Sequence, residues 1–270
     1  MPPGCHAGLK RRSHFGNSRT TVEPSMRRFL LALLALLIAT GASAESVLLR
    51  AADGVQVHGD VWRAAGAKPP IVVAFHQASS NAAEYAPIAP RLVAAGFTVL
   101  AIDQRSGDGA FGGSNRTAAA LGHEAGYDEA LPDLEAALAW AKGEARGAPV
   151  VVWGSSYSAA LVFLLVAAHP GDVAAIVAFS PGEYLARKDA VREAARKVTV
   201  PVYIDQASSV EEVANSAAIL KAVRSADQQQ FARAPSTHGS STLRTDRNAA
   251  GAEAHWQGVL HFLARFTPRP

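Results

Sequence analysis

The stretch from Val150 to Ala160, VVVWGSSYSAA, constrains the fold of this chain more than any other part of the sequence. Its valine run predicts a buried strand, and the alanine- and leucine-rich segment that follows predicts a helix. A serine at the apex of such a strand–turn–helix is held in a strained backbone conformation, so the residues two positions before and after it must be small. Gly154 and Ser158 meet this condition for Ser156, although Ser158 stands where glycine is usual. For Ser155, the residues two positions before and after are Trp153 and Tyr157, which are bulky. We therefore predict Ser156 as the candidate nucleophile.

Residues 1–44 are predicted to be an upstream extension followed by a secretory signal peptide. A positively charged start at Met26–Arg28 precedes ten apolar residues, Phe29–Ile38, and a small-residue cleavage site that ends at Ala44. The apolar run is shorter than the about 20 residues that span a bilayer. No cysteine follows it, so we expect no stable membrane anchor. We expect translation from Met26 and a periplasmic or secreted protein.

Charge and cysteine content narrow the possible functions. Residues 1–44 hold six of the 26 Lys and Arg and one of the 23 Asp and Glu, which leaves 20 basic and 22 acidic side chains after them. This balance offers nothing basic for nucleic acid to bind. Cys5 is the only cysteine and precedes the signal peptide, so the exported part has no thiol nucleophile. The segment 45–270 is long enough for one domain with one core.

From residue 45 onward, predicted strands alternate with predicted helices. An Asp53-Gly54 turn joins the first two strands as a hairpin. Strands separated by helices of this length indicate an α/β class: a mainly parallel eight-stranded sheet with helices on both faces. Only twenty residues, 180–199, separate the sixth and seventh strands, so we expect no lid domain. The strands are predicted at 46–50, 55–63, 71–75, 97–102, 150–152, 174–179, 200–204 and 229–232, and the helices at 82–95, 128–142, 158–169, 187–197, 210–224 and 252–266.

A nucleophilic serine requires a base to accept its proton and an acid to orient that base. Three histidines follow Ser156 at a useful distance. His255 and His261 lie on the predicted C-terminal helix, where they read as solvated or core-edge residues. His238 lies in an irregular loop just beyond the last predicted strand. We therefore predict His238 as the base.

Four short motifs, in this order and spacing, resemble those of the serine α/β-hydrolases of the dienelactone hydrolase and prolyl-oligopeptidase-like group. The resemblance covers most of the exported chain and implies the α/β-hydrolase fold. True dienelactone hydrolases use a cysteine nucleophile, so a serine argues against that substrate. The motifs are FHQA at 75–78, DQRSG at 103–107, WGSSYS at 153–158 and THGS at 237–240.

The fold that this resemblance implies presents two backbone N–H groups to the oxyanion. One is expected from Tyr157, the residue after the nucleophile. The other is expected from the loop after the third strand, from either Gln77 or Ala78. His76 and Tyr184 are candidate substrate-binding residues, and His76 is also expected to order the oxyanion loop. The turn that begins with DQR at 103 is expected to tie the following glycine-rich loop to the sheet.

The acid of the triad is expected after the seventh strand. Asp205 comes too early, at the edge of the strand. Ser209 with Glu212 fits a Ser-x-x-Glu capping box, which leaves Glu211 as our choice. The same box placed one residue earlier, with Ser208 and Glu211, would leave Glu212 as the acid instead. Glu183, after the sixth strand, remains an alternative.

We expect a serine hydrolase that cleaves a small carboxylic ester through an acyl-serine intermediate, with Ser156, Glu211 and His238 as the triad. A peptidase or amidase of the prolyl-oligopeptidase-like type is the alternative within enzymes. A catalytically silent scaffold that binds a ligand or partner is the alternative outside them. The sequence contains no zinc-ligand spacing and no phosphate-binding loop. We therefore expect no metal and no cofactor, with a small-molecule ester as the partner. The oligomeric state stays open.

Overall fold

The computed structural model describes residues 43–233 and 235–267. The upstream extension and nearly all of the predicted signal peptide lie outside the described residues. Among the residues described, no helix is long and apolar enough to cross a membrane. The first strand begins at Glu45, directly after the predicted cleavage site.

Eight strands form one sheet in the order β1-β2-β4-β3-β5-β6-β7-β8. Strand β2 is antiparallel to both of its neighbours, and the pairs from β4 to β8 are parallel. This confirms the predicted mainly parallel sheet. The strands are β1 (Glu45–Arg50), β2 (Gln56–Trp62), β3 (Ile71–Phe75), β4 (Thr98–Ile102), β5 (Val150–Ser155), β6 (Ala175–Phe179), β7 (Val202–Asp205) and β8 (Gln228–Phe231).

Seven α-helices connect or follow these strands in the described part of the chain. The predicted helix at 82–95 is instead a 3₁₀ turn, Ala82–Tyr85, followed by a short α-helix. Pro87 and Pro90 lack the N–H that a continuous helix requires, so the chain breaks there. The helices are α1 (Ala89–Ala94), α2 (Arg116–Leu121), α3 (Leu131–Ala145), α4 (Tyr157–Ala168), α5 (Ala190–Ala195), α6 (Val210–Ala222) and α7 (Ala252–Leu263).

Two apolar layers cover the two faces of the sheet. Alternate residues of β5 separate between them: Val150 and Val152 belong to one layer, Val151 and Trp153 to the other. Helices α3 to α6 contribute to the first layer and α1 and α7 to the second. The central strand is therefore buried on both sides, as its uninterrupted apolar sequence predicts.

The parallel strands place their carboxyl ends along one edge of the sheet. Ligands of open α/β sheets bind outside that edge. The oxyanion loop follows β3, Ser156 follows β5, and His238 lies in the loop after β8, so the topology brings the candidate site residues to one edge. The segment between β6 and β7 holds one short helix, α5.

Candidate active site

Ser156 lies at the apex of the turn between β5 and α4. Its backbone angles are φ 59° and ψ −122°, a conformation that costs a non-glycine residue energy and that clusters at functional sites. The Ser156 N–H donates to the carbonyl of Phe179 at 2.8 Å, which holds the turn against β6. A Cβ at Gly154 would lie 2.4 Å from the backbone oxygen of Ser158, so only glycine fits there. The local geometry is that of a nucleophile elbow.

Ser158 has a contact that explains its departure from glycine. Its hydroxyl donates to the backbone carbonyl of His76 at 2.5 Å and accepts from Nε2 of Gln104 at 2.5 Å. The side chain therefore ties the elbow to the oxyanion loop. A glycine at this position could not make either bond.

His238 connects the nucleophile to a carboxylate. Its Nε2 lies 2.7 Å from Oγ of Ser156, and its Nδ1 lies 3.0 Å from Oε1 of Glu212. A carboxylate only accepts hydrogen bonds, so Nδ1 carries the proton and donates to Glu212. In the neutral ring Nε2 is then unprotonated and accepts the hydroxyl proton of Ser156. This is the arrangement in which a histidine acts as a general base on a serine.

The carboxylate that contacts His238 is Glu212 and not Glu211, which was our choice of acid. Ser209 caps the first turn of α6 by accepting from the Glu212 N–H at 3.2 Å. The reciprocal half of the capping box is missing: Oε2 of Glu212 accepts from the Ala207 N–H at 3.1 Å, and Oε1 remains for His238. Glu211 is exposed.

The pKa of Glu212 is below its ordinary range. Burial alone would raise it, but hydrogen bonds from His238 and Ser180 and the charge of His238 outweigh that effect. The carboxylate is therefore ionised at neutral pH and can stabilise a protonated His238.

The two other alternative acids have different contacts. Glu183 accepts from the backbone N–H groups of Val191 and Arg192, each at 3.0 Å, and so caps the start of α5. Asp205 is buried and lies 2.8 Å from Nδ1 of His255. Neither carboxylate contacts His238.

His255 is fully buried, which corrects its interpretation as a solvated or core-edge histidine. Its Nδ1 faces Asp205, and its Nε2 lies 3.2 Å from the carbonyl of Pro235. Both partners are acceptors, so both ring nitrogens carry protons. Burial alone would lower the pKa of His255, but the hydrogen bond to Asp205, the charge of Asp205 and the backbone hydrogen bonds together outweigh burial and raise the pKa. The pair thus supports the chain three residues before His238.

Replacing His255 by Ala should lower the free energy of unfolding by about 3 kcal/mol, because removing one partner of a buried ion pair leaves the other charge uncompensated. The kcat of the folded variant should change little, since His255 contacts neither Ser156 nor His238. Urea unfolding measures the stability. His261→Ala is the matched control, because His261 is exposed on the same helix and should change stability by about 0.5 kcal/mol or less. Equal midpoints for the two variants would contradict this prediction.

His76 is a predicted substrate-binding residue, but its side chain is buried and is therefore not placed to touch substrate. Its Nε2 accepts from the Gln104 N–H at 3.0 Å, and its Nδ1 donates to the carbonyl of Gln77 at 2.8 Å. Burial lowers the pKa of His76 to about 4, which keeps the ring neutral. Its contacts agree with the alternative role of ordering the loop.

The structure narrows the candidate oxyanion donors. The Gln77 N–H donates to Oε2 of the buried Glu84 at 2.8 Å, so it is already engaged. Ala78 is then the candidate on this loop. Tyr157 is the first residue of α4, and the first N–H groups of a helix have no intrahelical acceptor. Ala78 and Tyr157 therefore remain the candidate donors.

The Tyr157 side chain, unlike its backbone N–H, has no expected part in binding the oxyanion and is buried in the protein. Its ring stacks on Tyr127 with centroids 4.3 Å apart, and its hydroxyl contacts Gln104 and Ser106 at 2.9 and 2.8 Å. The Tyr157 side chain is therefore a buried anchor for the elbow.

Tyr184 is half-buried, and its hydroxyl donates to the carbonyl of Ser180 at 3.1 Å. Burial and the charges of Glu212 and Glu211 raise its pKa to about 12. Its predicted contact with substrate stays a prediction.

A cavity of about 640 Å³ borders the oxyanion loop at Ser79 and extends to Tyr127, the ring that stacks on Tyr157. Its size is that of a small-molecule site. Much of its lining is polar, including Ser106, Asn115 and His123.

The turn that begins at Asp103 has the tying role we expected. Asp103 accepts from the Ala82 N–H at 2.8 Å and from Nε of Arg116 at 2.6 Å, and so links the turn to both neighbouring loops. Gln104, which our sequence analysis did not single out, accepts from the His76 N–H at 2.9 Å. No local sequence signal distinguishes Gln104 from an ordinary turn residue.

Comparison with known proteins places these observations in a family. The sequence profile described as serine aminopeptidase, S33, matches residues 67–245. A monoacylglycerol lipase from Mycolicibacterium smegmatis is 30% identical over 128 residues. That match covers 47% of this chain and 43% of the lipase, so it spans less than half of either protein.

Solved structures show the same fold. A dienelactone hydrolase from Anabaena variabilis superposes with a TM-score of 0.65 at 16% identity, over 84% of this chain and all of the other. An esterase from Pyrococcus furiosus has a TM-score of 0.63 at 20% identity, over 83% of this chain and 93% of the other. A carboxyl esterase from Bacillus coagulans has a TM-score of 0.65 at 12% identity, over 83% of this chain and 99% of the other. With its profile match over more than half of the sequence and this fold, the chain belongs to the serine aminopeptidase S33 family of α/β-hydrolases.

Proposed function

We propose that this protein hydrolyses small carboxylic esters through an acyl-serine intermediate, with Ser156, His238 and Glu212 as the triad. The observation that carries the proposal is the hydrogen-bonded chain from Oγ of Ser156 through both ring nitrogens of His238 to Glu212, mounted on a nucleophile elbow. It joins a nucleophile, a base and an orienting acid, which is the arrangement that serine enzymes use for acyl transfer.

In the acylation step, Oγ of Ser156 attacks the carbonyl carbon of the ester while Nε2 of His238 takes the hydroxyl proton. The imidazolium that forms is stabilised by the ionised Glu212. The carbonyl oxygen becomes an oxyanion, and the N–H groups of Ala78 and Tyr157 are the proposed donors to it. Collapse of the tetrahedral intermediate breaks the C–O bond, and His238 returns the proton to the departing alcohol.

Water then repeats the sequence. His238 removes one proton from the water, the hydroxide oxygen bonds to the acyl carbon, and a second tetrahedral intermediate forms. Its collapse breaks the bond to Ser156, which takes its proton back from His238. The products are a carboxylic acid and the free enzyme.

A short-chain substrate fits the surroundings of the site. The segment between β6 and β7 holds only α5, so this segment brings no long insertion to cover the cleft. Proteins that share the fold are named esterases, and the curated relative is named a monoacylglycerol lipase. We infer that the acyl group is small.

Hydrolysis of an amide is the second candidate, because the matching family is described as serine aminopeptidases. The same triad cleaves both bond types, and an amide differs in requiring His238 to protonate a more basic leaving group.

The test is a matched pair of substrate series: p-nitrophenyl esters of increasing chain length, and p-nitroanilides of the same acyl groups. We expect kcat/KM to be highest for the short esters and to fall as the chain lengthens. Faster cleavage of the anilides would favour the peptidase. If wild-type protein neither hydrolyses these substrates nor reacts with a fluorophosphonate, the fold would be a catalytically silent scaffold and the proposal would be wrong.

We also propose that the protein is exported and cleaved near Ala44. The start of β1 at Glu45 supports this, since cleavage there would leave the first strand intact. N-terminal sequencing of the exported protein should begin at about residue 45. Recovery of the protein with residues 26–44 still attached would contradict the prediction.

A further inference from the structure

Glu84 is a buried carboxylate that the mechanism above does not use. It lies in the 3₁₀ turn Ala82–Tyr85, downstream of the oxyanion loop, and it is 0% exposed. A buried carboxylate is costly unless hydrogen bonds satisfy it. Its partners therefore indicate what this residue is retained for.

Both oxygens of Glu84 accept hydrogen bonds from segments that carry the proposed catalytic groups. Oε2 accepts from the Gln77 N–H at 2.8 Å, and Oε1 accepts from the hydroxyl of Ser155 at 2.7 Å. The Ser155 oxygen in turn accepts from the Ser240 N–H at 2.9 Å. One carboxylate thus links three loops that are far apart in the sequence.

Each contact falls next to a proposed catalytic group. Gln77 immediately precedes Ala78, Ser155 immediately precedes Ser156, and Ser240 lies two residues after His238. The packing between them is tight as well: a Cβ at Gly239 would lie 2.6 Å from Oγ of Ser155. A shift of any one loop would therefore be transmitted to the others.

We propose that Glu84 is a positioning residue. It fixes the oxyanion loop, the nucleophile and the loop that carries His238 (the base loop) relative to one another. This inference rests on the proposed function, because it assigns Glu84 to the same triad and oxyanion donors. Glu84 acts through its two acceptor oxygens and does not touch substrate.

The charge state of Glu84 decides whether both bonds can form. An ionised carboxylate accepts from Gln77 and Ser155 together, whereas a protonated one uses one oxygen as a donor and loses an acceptor. Burial raises the pKa of Glu84 to about 7, against the hydrogen bonds it accepts. The charged and titratable groups that face it are Arg244, whose charge lowers the pKa, and the buried phenol of Tyr85.

Glu84→Gln is the principal test. The amide has one acceptor oxygen and one donor group, so it can accept from Gln77 or Ser155 but not from both. Removing a whole oxyanion donor costs about a hundredfold or more in kcat, and a displaced donor should cost less, about tenfold. We expect that fall in kcat for p-nitrophenyl acetate at about pH 8, with KM little changed. The melting temperature should fall, because one buried donor loses its acceptor.

Asp133→Asn is the matched control, because Asp133 is also a buried carboxylate but holds Arg105. It should lower the melting temperature and leave kcat within about twofold. A Glu84→Gln enzyme whose kcat also stays within about twofold would overturn the inference. Should Glu84→Gln fail to fold, Ser155→Ala decides by the same criterion, since it removes the hydroxyl that joins Glu84 to Ser240.

A pH series separates positioning from a merely structural role. Protonated Glu84 resembles Gln, so the ratio of wild-type kcat/KM to that of Glu84→Gln should shrink as the pH falls below about 7. His238 is present in both enzymes and cancels in the ratio. A ratio that stays constant from about pH 8 to about pH 5.5 would overturn the assignment. A wild-type protein without any hydrolase activity would instead refute the proposed function.

Discussion

Replacing Ser156 by Ala should lower kcat for a short p-nitrophenyl ester by about 10⁴- to 10⁶-fold, because no other group can form the acyl intermediate. The variant should fold normally. The hydroxyl it loses contacts His238, whose side chain is 43% exposed, so water can replace the lost partner. Steady-state kinetics measures the loss, and the melting temperature shows that the fold is retained.

The same variant should no longer react with a fluorophosphonate, which labels only an activated serine. His238→Ala should match its loss, and the double variant should fall no further, because nucleophile and base act as one unit. Ser155→Ala bears on the identity of the nucleophile. If it abolishes labelling while Ser156→Ala retains it, our assignment of the elbow is wrong.

The fold could be predicted largely because its strands are short apolar runs between turn residues. The third strand, which the sequence predicts at 71–75, lies at Ile71–Phe75, where every residue is buried. The predicted helix at 82–95 is wrong, because Pro87 and Pro90 divide the segment into a 3₁₀ turn and a short helix. Those prolines fix the chain locally, and a helix cannot continue through them.

The parts of the candidate site that depend on one short segment could also be predicted from the sequence. Gly154 and Ser156 are close in sequence, so the steric demand of the elbow is visible there. Positions that depend on contacts between distant segments were not. Glu84 reaches Ser155 and, through it, Ser240, and nothing in its own neighbourhood in the sequence marks it as a buried acid.

The acid shows the same limit within a single helical turn. Glu211 and Glu212 are both in the first turn of α6 and have the same chemistry. Successive residues of a helix point about 100° apart, so only one of them can face His238. Which one does depends on how the helix is rotated against the base loop, and the capping box did not settle that rotation.

Glu212→Gln should therefore lower kcat by about 10³- to 10⁴-fold, whereas Glu211→Gln should be nearly silent. The glutamine oxygen can accept from the Ala207 N–H as Glu212 does, which turns the amide group toward Nδ1 of His238. That nitrogen would then accept instead of donating, and its proton would move to Nε2. The ring would present an N–H to Ser156 and could not remove the serine proton.

The two substitutions form a matched pair. Each removes one negative charge from the first turn of α6, so each should lose the same small helix-dipole stabilisation, about 0.3 to 1 kcal/mol. Because the two variants share this loss of stability, a difference in kcat between them reports the contact with His238. Steady-state kinetics on both variants, with melting temperatures measured in parallel, makes the comparison. Equal losses in kcat would show that charge near the site matters and contact does not, and would remove Glu212 from the triad.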